Sequence, residues 1–140
     1  MLDWPTSWYI AAGAALIGAV MGAASLAVPR WGQGVVRLAP DPRWKGGWAE
    51  FRASYGGGFL FVHAAVLLTL AMSFQAGAGS VIGASFAASL YWFGMAVGRI
   101  VSLALDAGRD TRTGYNVFSV GFEAAMGLAL LAPFLGHLGG

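Results

Sequence analysis

The chain has 140 residues, 58% of them hydrophobic and 10% charged, with a formal net charge of +2. A water-soluble domain carries about 25% charged residues, so the composition excludes an ordinary globular domain and makes lipid the main solvent. Apart from Arg99, every Lys and Arg lies in two stretches between apolar runs, which is a topology pattern rather than a nucleic-acid surface; the lack of cysteine excludes disulfides, thiolate metal sites and redox pairs.

A helix that crosses a bilayer needs about 20 apolar residues, because each residue rises about 1.5 Å through a core about 30 Å thick. Four runs qualify, at about 8–28, 53–74, 80–105 and 114–135. They predict an all-α fold, a single four-helix membrane domain whose short links favour an antiparallel up-down bundle.

In the first run, Gly22-Ala23-Ala24-Ser25-Leu26-Ala27 resembles a signal-cleavage region. Asp3 precedes it and no Lys or Arg does, so a retained helix is expected. Ala14, Gly18 and Gly22 at four-residue spacing offer a small-residue packing face, read as internal to the bundle in preference to a dimer face. The stretch 29–52 carries Arg30, Arg37, Arg43, Lys45 and Arg52 together with Trp31, Trp44 and Trp48. The second run places Arg52, Tyr55, Gly56 and His63 on one helical face. Its Gly56-Gly57-Gly58 lacks the Lys and Ser/Thr of a phosphate loop and reads as a soft start or a close approach.

The link around 75–79 is uncharged. The third run repeats at sevens through Ser85, Trp92, Arg99 and Asp106, flanked by Ser89 and Ser102, and carries Gly94 and Gly98 at GxxxG spacing. The link 106–113 adds Arg109 and Arg112, and the fourth run aligns Asn116, Ser119, Glu123 and Met126. Positive charge stays in the cytoplasm, so 29–52 and 106–113 are predicted cytoplasmic loops and both termini periplasmic, in a bacterial inner membrane. The Trp residues of 29–52, with Trp4, Trp8 and Tyr9 on the other side, fit aromatic belts. His137 reads as interfacial.

Ionisable groups inside a bilayer need a partner or a wet cavity. From the cytoplasmic ends, Arg99 lies about 10 Å deep, Glu123 about 14 Å and His63 about 15 Å. An Arg99–Glu123 pair is therefore available, either as a device that fixes helix register or as a ligand or proton site that also includes His63, Tyr55 and Ser102. Arg52 and Asp106 are expected to pair at the cytoplasmic mouth. The polar interior is assigned to the second, third and fourth helices, with the first as packing. No cofactor or metal is called for; haem iron or chlorophyll magnesium at His63 is the one option, without a second internal histidine for bis-histidine ligation.

The motifs Arg52-Ala-Ser-Tyr55-Gly56-Gly57, Gly98-Arg99 with Ser102 and Asp106, and Glu123 resemble those of a family of small bacterial four-helix membrane proteins catalogued as a domain of unknown function. The likeness runs from the second helix onward, about two thirds of the chain. It departs at Ala107, which separates Asp106 from Gly108, and at Gly58 and His63, which are particular to this sequence. It implies the four-helix architecture and the importance of Arg52, Tyr55, Arg99, Asp106 and Glu123, and no activity. Three functions remain open on these grounds. The leading one is a non-enzymatic protein that binds an amphipathic or ionic ligand or handles protons. The second is an accessory subunit of a larger respiratory or photosynthetic complex, or a homo-oligomer. The third is a membrane enzyme acting on a lipid or quinone.

Overall fold

The structure, a computed structural model, describes residues 3–139. Helix α1 spans Thr6–Ala27. It stops where Pro29 forces the preceding residue out of helical conformation: Val28 has φ −124° and ψ 76°. Pro29 then opens a second short helix, α2, Pro29–Val36, in the first-turn position that suits proline. This helix lies in the stretch expected to be loop. Gly32 and Gly34 conceal it in the sequence, yet its Trp31, Val35 and Val36 turn to the bundle.

The second span, α3, runs Gly47–Ala71. It begins behind Gly46, whose φ of 91° suits glycine, and so starts about a turn and a half before the expected boundary. Its Arg52–Gly58 segment is π-helical, with Gly56, Gly57 and Gly58 at its end. A single turn at Ser73–Ala76 and Gly77, at φ 77° and ψ 164°, lead into α4, Ala78–Leu105. After a 3-10 turn at Ala107–Arg109, the Thr113 hydroxyl accepts from the Asn116 N–H at 3.2 Å and caps α5, Gly114–Leu138.

α1, α3, α4 and α5 are each long and apolar enough to cross a membrane, with mean hydropathy between 1.5 and 2.0, and the chain is a multi-pass membrane protein by that measure. They form an all-α four-helix bundle, without strands among the described residues. α1 packs on α3 and α5, and α4 packs on α3 and α5, so neighbours in sequence are neighbours in space. Large side chains such as Phe61, Phe74, Leu105 and Phe118 point outward, as lipid permits and water discourages.

Close backbone approach holds α1 to α3. A Cβ on Gly18 would lie 2.1 Å from the His63 ring, one on Gly22 2.4 Å from the Leu60 nitrogen, and one on Gly56 2.8 Å from the Leu26 Cα. Such approach supplies dispersion contact where no hydrophobic drive exists between helices. On α4, by contrast, a Cβ on Gly94 or Gly98 would meet nothing within 4 Å.

The two ends of the bundle differ. At the end away from the basic loops, Ala15, Val66, Leu70, Val81, Ala88 and Leu130 form a dry core at 0–1% exposure. Toward the basic end, the π-helical segment packs on α1 and scarcely touches α4, and the interior opens.

Candidate functional site

A layer of rings divides the core from this opening. His63, fully buried, lies between the Phe59 carbonyl, 2.7 Å from Nδ1, and the Trp92 indole Nε1, 2.8 Å from Nε2. A carbonyl only accepts and an indole N–H only donates, so Nδ1 carries the proton and Nε2 accepts. Phe59 and Phe122 stand edge-on to Trp92, with centroids at 5.4 and 5.7 Å.

Below this layer is a cavity of about 530 Å³. Arg99 borders it, and its guanidinium grips Glu123: Nη2 donates to Oε1 at 2.6 Å, while Nε lies 3.1 and 3.2 Å from the two carboxylate oxygens. Nη1 donates to the Asn116 side-chain oxygen at 3.0 Å, and the Asn116 amide donates to the Thr111 carbonyl at 2.7 Å. Glu123 is almost wholly buried and Arg99 partly so. Charge-assisted bonds of this kind are short and directional, and they fix the guanidinium plane against the wall.

The remaining wall is mostly apolar and aromatic. Tyr55 and Phe59 come from α3, Tyr91 and Met95 from α4, Phe122 from α5. α2 closes the basic end with Trp31, Val35 and Val36. It is tied to α5 by the Tyr115 hydroxyl, which donates to the Val35 carbonyl, and by the Arg37 guanidinium, 3.7 Å from the centre of the Tyr115 ring.

Several expected placements change. His63 does not border the cavity, because Trp92 stands between it and the Arg99–Glu123 pair and takes its free nitrogen. Haem or chlorophyll ligation at His63 does not fit these residues: the only lone pair on the ring is engaged, and α1 backbone at Gly18 presses on that side. Arg52 does not meet Asp106. It donates to the Leu26 carbonyl, one of the last α1 carbonyls, orphaned because the helix ends before Pro29. The π-helical turn, closed by i→i+5 bonds, rotates Arg52 off the face that a regular helix would share with His63. Asp106 instead accepts from Ser102 at 3.0 Å and lies 3.9 Å from Arg109. Tyr55 and Ser102 do border the cavity. α1, read as packing alone, contributes Met21 and Ser25 to the wall. Ser25 was the signal, the one hydroxyl of α1 after Tyr9.

The α2 and Tyr115 contributions have no sequence signal beyond the position of Val35 and Val36 four and five residues after Trp31. In the dry half, the Ser85 and Ser89 hydroxyls are buried without a hydrogen-bond partner among the described residues.

No family model, curated protein or solved structure matches the chain.

Proposed function

We propose that this is a bacterial inner-membrane protein of the small four-helix family it resembles, with both termini periplasmic, which binds an amphipathic molecule drawn from the lipid phase. The observation that carries the reading is the void itself. Helical bundles close-pack their interiors, so an opening of about 530 Å³ beside a charged pair needs an occupant. The polar head would sit against Arg99 and Asn116, the apolar part against Phe59, Tyr91, Met95 and Phe122. Entry would be sideways, where α3 and α4 part toward the basic end. Proton handling is less well supported, because Glu123 is held by Arg99 and His63 lies behind Trp92.

Native mass spectrometry of the protein in mild detergent tests this. A stoichiometric small molecule is expected on the wild type and absent from Met95→Trp, which fills the void, and from Glu123→Gln, which stays folded. Equal retention in all three would overturn the reading.

A second reading, an accessory subunit or homo-oligomer, is favoured by the open α4 face at Gly94 and Gly98, where another helix could approach closely. A monodisperse single-chain particle in gentle detergent would count against it.

A further inference from the structure

The cavity's chemistry narrows the occupant further, on the reading that it is a binding site. We infer that its ligand is headed by a neutral, flat ring bearing carbonyl oxygens, the chemistry of an isoprenoid quinone.

Charge is the first ground. Arg99 and Glu123 neutralise one another, so the wall carries no net charge from the pair. A carboxylate or phosphate head placed on Arg99 would lie beside the Glu123 oxygens, and an ammonium head placed on Glu123 would lie beside the guanidinium. Either would have to break a pair held by three contacts within 3.2 Å. A neutral head leaves the pair intact.

Hydrogen-bond capacity is the second. A guanidinium has five N–H donors. Glu123 takes one on Nε and one on Nη2, and Asn116 takes one on Nη1, so two remain beside the cavity. The hydroxyls of Tyr55 and Tyr91, both on the wall, make no hydrogen bond to the described residues. The wall's side-chain groups that can only accept are engaged, Asn116 Oδ1 and the Glu123 carboxylate both by Arg99, while the hydroxyls of Ser25, Ser102, Ser119, Tyr55 and Tyr91 can turn to donate or accept. The groups of fixed direction left over are therefore donors, and they select a ligand with acceptor oxygens. A quinone ring presents two such oxygens, an alcohol one.

Shape is the third. Phe59 and Phe122 flank Trp92 edge-on, and Tyr91 lies 5.8 Å from Phe59, leaving ring faces and edges directed at the void. Aromatic rings prefer offset or edge contacts of this spacing, and a quinone ring supplies one. The volume of about 530 Å³ suits a ring head with the first part of a tail, within the range of roughly 300–1,000 Å³ that buries drug-sized molecules.

The test titrates the purified full chain in micelles with four probes of equal tail length: a decyl-substituted benzoquinone, decanoate, decylamine and decanol. Binding is read by tryptophan quenching and, independently, by the shift in melting temperature. The decyl benzoquinone is expected to saturate at one per chain, at least tenfold more tightly than the other three. The double variant Tyr55→Phe/Tyr91→Phe keeps both rings, loses both donors, and should weaken quinone binding about tenfold while melting like the wild type. If decanoate, decylamine or decanol binds as tightly as the quinone, and Met95→Trp abolishes that binding, the ligand class is wrong and the cavity reading stands. If no probe binds, or Met95→Trp leaves binding unchanged, both fall.

Discussion

Replacing the partners of the Arg99–Glu123 pair, singly and together, separates a register device from a ligand site. In Arg99→Met the Glu123 carboxylate, 5% exposed, loses every hydrogen bond it makes to the described residues. Leaving one charge of a buried pair uncompensated costs about 3–5 kcal/mol. The pair borders a cavity and the Arg99 side chain is 29% exposed, so partial hydration lowers the expected loss to about 2–3 kcal/mol. Glu123→Gln keeps the shape and one acceptor oxygen, and Arg99 keeps Asn116, which points to about 1–2 kcal/mol. In Arg99→Met/Glu123→Leu neither charge remains, and apolar replacement of a buried pair is often near neutral. The double loss should therefore fall short of the sum of Arg99→Met and Glu123→Leu by about 1–3 kcal/mol. Unfolding by sodium dodecyl sulfate in mixed micelles, followed by far-ultraviolet circular dichroism, measures all four species. Additive losses, with a coupling below about 0.5 kcal/mol, would refute the claim that the two side chains stabilise one another. The double variant also decides between roles: it should fold and bind nothing, whereas wild-type binding would reduce the pair to a register device.

The α1–α3 contact gives a paired prediction in the same assay. Gly22→Ala puts a Cβ 2.4 Å from the Leu60 backbone and should cost about 1–3 kcal/mol, while Gly94→Ala, with open space around it, should change stability by about 0–1 kcal/mol in the favourable direction. Tyr115→Phe removes the bond to the Val35 carbonyl, a net contribution of about 1 kcal/mol, so α2 amides should exchange about fivefold faster by hydrogen–deuterium mass spectrometry. At the exposed turn before α3, the Arg43 guanidinium beside Asp41, together with the Arg43 backbone N–H, holds the Asp41 carboxyl below its ordinary value. A depressed folded-state value means that the turn is stabilised above the unfolded carboxyl value and loses this as pH falls through the folded one. Arg43 amide protection should then decline only below about pH 4, with the melting of the bundle unchanged, since exposed pairs contribute little.

The four spans were legible because a bilayer demands long apolar runs and punishes exceptions. The inward face of α4 was legible for the same reason: Ser85, Ser89 and Trp92 repeat at helical spacing, and all three are buried. What failed was extrapolation of that periodicity across irregular backbone. The stripe joining Arg52 to His63 assumed 3.6 residues per turn through a stretch that forms a π-helix, so Arg52 emerges over Leu26 rather than toward Asp106. Periodicity also gives a face without saying what stands in the middle of it. His63 shares the interior with Arg99 and Glu123, yet Trp92 fills the space between, and no spacing argument ranks three inward side chains by distance from the axis. α2 was lost to its own glycines, which helix propensity counts against.

The glycine-rich π-helical segment gives the cavity a local cause. Gly56 lets α3 approach the Leu26 backbone of α1, and that contact draws the basic-end half of α3 toward α1. α4 cannot follow, because its own partner is α5, to which Arg99 is bound through Glu123 and Asn116. The bundle therefore splits between α3 and α4 at the basic end and stays closed on the other side of the His63–Trp92 bond, which ties α3 to α4 across the middle. Tyr55 lies within the π-helical segment and Phe59 follows directly after it, so the distortion that opens the gap also directs two of its rings into it. π-Helical turns are rare and are found frequently at functional sites. Here the π-helical segment, the void and the tyrosine hydroxyls that make no hydrogen bond to the described residues lie within one stretch of α3 and the α4 face opposite it, and a cavity left by accidental poor packing would share none of these causes.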